Sequence, residues 1–177
     1  NVHVLTSLDD INWTLNLRGD DIEFFPLLLS YAIIKMDCVE FFIDESKLSD
    51  EIKANLAADN VNLHPYNDIY EDVKVFGPET VLLIDPDKLN YAIFNNFADD
   101  VKKIEKRNPA ILMKAMKNPV EIANIRKAQI KDSVAHVRFM KWVKENVGKM
   151  TITEMSASDK LDEFRAEMGN FIRPSFE

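Results

Sequence analysis

Cysteine and glycine are scarce in this chain of 177 residues, and it has no long uninterrupted apolar segment. Cys38 is the single cysteine, which argues against a disulfide framework or a cysteine-rich zinc site. The four glycines form no phosphate-binding loop. The longest apolar stretch, 24–34, is interrupted by Pro26 and Ser30 and is far shorter than the roughly 20 residues that cross a bilayer. We therefore expect a cytoplasmic protein without a membrane segment.

Positively charged residues are also fewer than negatively charged ones. The chain has 22 Lys and Arg against 30 Asp and Glu, which gives a formal net charge of -8. A protein that binds the phosphate backbone of nucleic acids needs a basic face. The sequence therefore predicts no nucleic-acid partner.

The first part of the chain alternates short apolar runs with stretches of helical periodicity. Runs typical of strands occur at 2–6, 28–34, 39–43, 61–63, 80–84 and 101–106. Between the last two, Asp85 is predicted to cap a helix that carries Leu89 and Ile93. This order predicts an α/β sheet with helices on both faces.

The pattern changes after Asn108. Asn118, Pro119 and Glu121 form a helix-start signal for a long helix, and Thr151 with Glu154 predicts a capping box for a second one. A hairpin of two such helices cannot bury its own apolar faces, so we expect a further layer to cover it. The predicted domains are 1–112 and 113–177.

No arrangement of side chains in the sequence indicates a catalytic or metal site. The three histidines, His3, His64 and His136, are far apart and lie in no metal-binding motif. Adjacent acids occur where turns or helix starts are predicted, so we interpret them as caps and solvated charges: Asp9-Asp10, Asp20-Asp21, Asp44-Glu45 and Asp99-Asp100. The acids at 159, 162 and 163 alternate with Lys160 and Arg165, which is typical of a solvated helix face.

Several strings nevertheless resemble a known family. The segment 8–22, LDDINWTLNLRGDDI, is similar to the opening of the middle domain in three-domain Xaa-Pro aminopeptidases. Further strings keep the order of that family: 29–33, 65–70, 83–86, 89–92 and 108–110. The segments 113–122, 126–132 and 157–165 resemble the start of the catalytic domain in the same peptidases.

The resemblance implies a fold and an activity. It implies a creatinase amino-terminal-like mixed sheet between helices, followed by a helical hairpin from an incomplete pita-bread catalytic domain. It also implies a homodimeric parent enzyme that removes an N-terminal residue preceding proline from peptides and uses two divalent metal ions, commonly manganese. The family's metal ligands follow these helices, so we expect no catalytic or metal-binding residue here and no cofactor in this chain. Its partner would be its own C-terminal catalytic domain. Trp13 and Arg18 are predicted to serve a domain or subunit interface.

Two other interpretations stay open. An aminopeptidase-like region that has lost its metal site could bind basic peptides, which would suit the acidity of the chain. A related creatinase or dipeptidase shares the catalytic fold, but the middle-domain strings argue against it.

Overall fold

Six strands form one mixed sheet in the computed structural model, which describes residues 1–176. The strands are β1 (Val2–Leu5), β2 (Ser30–Ile34), β3 (Val39–Ile43), β4 (Val61–His64), β5 (Val81–Ile84) and β6 (Lys102–Glu105). Their order in the sheet is β4-β3-β2-β1-β5-β6. Strand β2 is antiparallel to both of its neighbours, β1 and β3, whereas the other pairs are parallel. The predicted mixed α/β sheet is thus confirmed.

Helices cover both faces of this sheet. They are α1 (Leu8–Thr14), α2 (Asp50–Ala58), α3 (Ile69–Asp72), α4 (Tyr91–Asn96) and α5 (Pro109–Ala115). Successive strand residues point to opposite faces, and the core accordingly divides into two clusters. One contains Ile33 and Phe42 with Ile69 and Ile93 from α3 and α4. The other contains Ala32, Phe41, Ile11 and Leu56, the last two from α1 and α2.

Side-chain caps fix the starts of two of these helices, and for α4 the predicted cap is wrong. Helix α2 begins at Asp50, where the Ser49 side chain accepts from the backbone N–H of Ile52. Helix α4 begins at Tyr91 and is capped by Asn90 rather than by Asp85. The segment 69–75 is a single α-helical turn followed by a short 3-10 segment.

Two helices form a second compact unit, which begins at Lys117. They are α6 (Pro119–Asn146) and α7 (Glu154–Glu167). The predicted start of α6 is confirmed, and it forms a capping box in which Asn118 and Glu121 each accept a hydrogen bond from the backbone N–H of the other. For α7 the predicted box of Thr151 and Glu154 is wrong, since Thr153 and Ser156 form it.

The first compact unit ends at Met116. The boundary predicted after Leu112 falls within α5, which belongs to this first unit. The assignment of 1–112 and 113–177 to a middle and a catalytic domain stays a prediction.

Candidate functional site

The segment after α1 is held by a buried asparagine. The side chain of Asn12 is 2% exposed. Its Nδ2 donates to the carbonyl oxygens of Leu8 at 2.8 Å and Leu28 at 3.1 Å, and its Oδ1 accepts from the backbone N–H of Leu28 at 3.2 Å. A single amide therefore satisfies three backbone groups and fixes residue 28 against the helix. In the sequence, this role of Asn12 is indicated only by the presence of an asparagine among the apolar positions of α1.

A carboxylate closes the same loop from the other side. Asp21 Oδ2 accepts from the backbone N–H of Leu29 and from Lys47 Nζ, each at 2.7 Å. Partial burial raises the pKa of Asp21, but the hydrogen bonds from Lys47 and Leu29 outweigh that effect and lower it overall. The backbone N–H of Gly19 also donates to the carbonyl of Pro26. Residues 19–29 consequently form a loop that is anchored at its base.

The tip of this loop displays aromatic side chains. Phe24 has a φ of 67°, a left-handed conformation that is strained for a bulky residue. Phe25 is 54% exposed. An isolated antiparallel bridge joins Ile22 and Phe25 across the tip. The anchored base thus maintains a strained and apolar tip.

Trp13 and Arg18 lie on either side of the end of α1. Trp13 is half-buried, and Arg18 is exposed. The guanidinium of Arg18 donates from Nη1 to the carbonyls of Leu17 at 2.6 Å and Asn12 at 3.4 Å. Arg18 thus binds carbonyls at the end of α1, and the interface role predicted for both residues stays a prediction.

The adjacent acids were predicted to be caps and solvated charges, which is wrong for Asp10, because its side chain is buried and contacts distant residues. Asp44 accepts from the hydroxyl of Ser46 at 2.7 Å and from its backbone N–H at 3.0 Å, and both hydrogen bonds lower the pKa of Asp44. Asp9 and Asp10 both accept from Lys114. Within residues 1–176, no group of three or more His, Cys, Asp or Glu side chains could hold a metal ion.

The three histidines lie in separate settings. His3 contacts Asn108 and the carbonyl of Leu83. His64 contacts Glu40 at 2.8 Å and stacks on Phe42. His136 contacts the carbonyl of Asp132 on α6.

Helix α6 carries two apolar faces. Toward α7 it buries Ala135, which is fully inaccessible to solvent. Seven further apolar residues are exposed and recur at helical spacing, and we call them the α6 stripe: Val120, Ile122, Ile125, Ile130, Val134, Val137 and Met140. Part of the stripe borders an open groove of about 590 Å³ that Arg126 and Arg138 flank.

Charged contacts join α6 to α7. Arg165 donates from Nε to Asp132 at 2.9 Å, and Arg138 pairs with Glu167. Arg138 also lies over the ring of Phe164, 4.7 Å from its centre. These contacts hold the two helices together and leave the α6 stripe uncovered by α7.

The first two-thirds of the chain match a known family model. Residues 1–121 match the creatinase/prolidase N-terminal domain. The chain belongs to this family. Its six-stranded mixed sheet with helices on both faces is the corresponding fold, as the resemblance implied.

Curated relatives extend the similarity to almost the whole chain. Xaa-Pro aminopeptidase 1 from Dictyostelium discoideum is 36% identical over 98% of the chain, and a probable Xaa-Pro aminopeptidase P from Neurospora crassa is 32% identical over 98%. The chain spans 28% of the length of the first relative and 27% of the second. The predicted resemblance to Xaa-Pro aminopeptidases is confirmed.

Solved structures show the same similarity to peptidases that act on Xaa-Pro bonds. The crystal structure of X-prolyl aminopeptidase from Caenorhabditis elegans, described as a cytosolic enzyme with a di-nuclear active site, matches 99% of the chain with a TM-score of 0.91 and 30% identity. The chain covers 29% of that protein. An Xaa-Pro dipeptidase from Bacillus anthracis matches with a TM-score of 0.67 at 18% identity, which shows the fold alone. None of the helices described in residues 1–176 is both long and apolar enough to span a membrane.

Proposed function

We propose that this chain is a non-catalytic part of a metal-dependent Xaa-Pro aminopeptidase. In this proposal, residues 1–112 form the middle domain and 113–177 the start of the catalytic domain. The longer cytoplasmic protein hydrolyses the bond between an N-terminal residue and a following proline. The chain itself supports substrate access and subunit assembly.

The main support is the extent of the similarity. It runs through both compact units and covers 98% of the chain, whereas the chain spans under a third of each relative described above. The structural match likewise includes the sheet and the two helices that follow it. A relationship through the shared sheet alone would cover only the first unit.

The described residues do not fit a metal centre. Two metal ions bridged by a hydroxide require several carboxylate and histidine ligands around one point. Side chains of these types form no such group within residues 1–176. The proposal therefore places the two divalent ions, for which manganese is the expected metal, in the part of the longer protein that this chain does not cover.

The α6 stripe supports an incomplete second domain. Burial of apolar side chains stabilises a fold by about 25 cal/mol per Å² of apolar surface removed from water. Helix α6 has 28 residues, yet its buried residue is Ala135. A layer supplied by the rest of the longer protein would bury the stripe.

The isolated chain is therefore expected to self-associate. Exposed apolar patches promote association between copies. Light scattering should give a mass above that of one chain, and Ile130→Lys with Val134→Lys should lower that mass by placing charge in the stripe. Exchange of the exposed Lys141 and Lys144 for arginine is the matched control and should leave the mass unchanged. A monomeric chain with an intact α6 would contradict the prediction.

A chimera tests the proposed activity. The chain would replace the corresponding segment of the Dictyostelium discoideum enzyme. Supplied with manganese, the chimera should release the first residue of a peptide whose second residue is proline, and it should leave a peptide with alanine at that position largely intact. The chain alone should cleave neither peptide.

The chimera assay also distinguishes the proposed enzyme from the alternative, a peptide-binding module without activity. A folded chimera without activity, together with binding of basic peptides by the chain, would favour the catalytically inactive peptide-binding module. Cleavage by the chain alone would overturn the assignment of the catalytic centre.

The interface role of Trp13 and Arg18 belongs to the same proposal. The longer protein is expected to be a homodimer. In the active chimera, Trp13→Ala or Arg18→Ala should weaken either the association of the two subunits or the contact between the middle and catalytic domains. Sedimentation of the chimera measures the first, and limited proteolysis between 107 and 118 measures the second. No change in either would remove both residues from the proposed interface.

A further inference from the structure

A cleft opens on the first unit between the end of α1, residue 28 and α2. Its volume is about 400 Å³, which is within the usual range of small-molecule sites. Leu17, Leu28, Leu48 and Leu56 line the cleft and are each only 6–8% exposed, so they form its floor. The half-buried side chains of Leu15 and Ile52 complete the apolar surface.

The floor is held in place by the loop that precedes β2. The side chain of Asn12 binds both backbone groups of Leu28. Gly19 lets the side chain of Leu28 approach closely, because a Cβ atom at residue 19 would lie 2.2 Å from Leu28 Cδ2. Small-molecule sites are usually largely formed before the ligand binds. The fixed position of Leu28 gives the cleft this property.

The rim of the cleft is polar and carries two cations. Its residues are Asn16, Arg18, Lys47, Asn55 and Asp59. The charge of Lys47 is already paired, since Nζ donates to Asp21 Oδ2 at 2.7 Å. Arg18 has no carboxylate partner among residues 1–176 and donates from Nη1 alone, to the carbonyls of Leu17 and Asn12. The charge of Arg18 is therefore available to a ligand.

The chemistry of Arg18 selects the kind of ligand. A guanidinium has five N–H donors in a planar fork, which matches the two oxygens of a carboxylate. The bonds to the two carbonyls leave the donors on Nε and Nη2 of Arg18 without a protein acceptor. The leucine floor offers no hydrogen-bond partner, so it favours an apolar group. A ligand that fits both parts has an anionic head and an apolar chain.

We propose that this cleft binds a small carboxylate with an apolar chain, such as a medium-chain fatty acid. The carboxylate accepts hydrogen bonds from Arg18 at the rim, and the chain covers the leucine floor. The site lies within the first unit and does not depend on the proposed peptidase activity. It is also separate from the interface proposed for Arg18, because it needs no second subunit or domain.

Titration of the chain with octanoate tests the site. Calorimetry measures the affinity, and nuclear magnetic resonance of ¹³C-labelled leucine and isoleucine methyl groups locates the ligand. The signals of Leu17, Leu28, Leu48 and Leu56 should shift, whereas the isoleucines of α6 should not. Octanol keeps the apolar chain but has no carboxylate, and it should bind at least about tenfold more weakly, the effect of a hydrogen bond to a charged group. Butanoate keeps the carboxylate and should also bind at least about tenfold more weakly, because it buries fewer methylene groups.

Two variants assign the carboxylate to Arg18. Arg18→Gln should weaken the binding of octanoate at least about tenfold and leave the binding of octanol unchanged. Arg126→Gln, which changes an arginine beside the groove on α6, is the matched control and should alter neither affinity.

Four results would overturn the site. They are the absence of octanoate binding, equal affinities for octanoate and octanol, an octanoate affinity that Arg18→Gln leaves unchanged, and methyl shifts confined to the isoleucines of α6. The last of these would place the ligand on the α6 stripe instead. The comparison of octanoate with octanol on the unmodified chain decides the matter even where Arg18→Gln fails to fold.

Discussion

Replacement of Asn12 by leucine is expected to lower the free energy of unfolding of the first unit by about 3 kcal/mol. Leucine has a similar volume but cannot bond the backbone groups of Leu8 and Leu28 that Asn12 satisfies. The Leu28 carbonyl still accepts from the Ser30 hydroxyl at 3.2 Å, but the Leu28 N–H loses its Asn12 partner. A buried polar group without a partner costs about 1–3 kcal/mol, and the loss of the other two hydrogen bonds adds to this cost. The loss should therefore exceed that of an ordinary surface mutation.

Tryptophan fluorescence measures this change selectively. Trp13 lies in the first unit and Trp142 in the second. In a chain that also carries Trp142→Phe, urea-induced unfolding followed by the fluorescence of Trp13 reports the stability of the first unit alone. Asn55→Leu, at an exposed position of α2, is the matched control and should shift the stability by less than about 0.5 kcal/mol. An equal effect of both substitutions would contradict the role assigned to Asn12.

Replacement of Glu40 by glutamine is the second change with a large expected effect, about 2–3 kcal/mol at neutral pH. Glu40 Oε1 accepts from Lys35 at 2.6 Å, while Oε2 accepts from His64 at 2.8 Å and Asn62 at 3.0 Å. The side chain is only 13% exposed. Burial raises the pKa of Glu40, but the bonds from Lys35, His64 and Asn62 together lower it to about 2.

The effect should disappear in acid. A depressed pKa stabilises the fold above the unfolded value of 4.5, and this contribution is lost as the pH falls toward 2. Unfolding curves of Glu40→Gln and the unmodified chain should therefore differ at pH 7, approach each other as the pH falls below 4.5, and converge only at about pH 2. Glu71→Gln is the control, because the pair of Glu71 with Lys74 is exposed. A difference that persists unchanged in acid would show that Glu40 acts through packing.

Local patterns predicted the sheet well. Each strand-like run corresponds to a strand, because alternating apolar residues face two cores. The start of α6 was also predictable, since Asn118, Pro119 and Glu121 lie within one helical turn. In these cases the deciding contacts are close in sequence.

Predictions failed where a local signal competed with a neighbour or a distant partner. Thr153 lies two residues after Thr151, and the sequence offers no reason to prefer either as the cap of α7. In the sequence, Asp85 has the residue type and position of a helix N-cap. In the fold, its carboxylate instead accepts from the backbone N–H of Asn108, which follows 23 residues later. Asn12 and Asn108 went unrecognised because their partners are assembled by the tertiary fold. The family relationship came from resemblance, since the composition alone indicated a soluble α/β domain without a catalytic site.

The metal content of the chain and of the active chimera tests the central proposal most directly. Both proteins would be equilibrated with manganese, passed through a desalting column and analysed by mass spectrometry of the element. We expect about two ions per chimera, as for a two-metal hydrolase, and only traces on the chain alone. Two ions retained by the isolated chain would contradict the proposal and place the metal centre within these 177 residues.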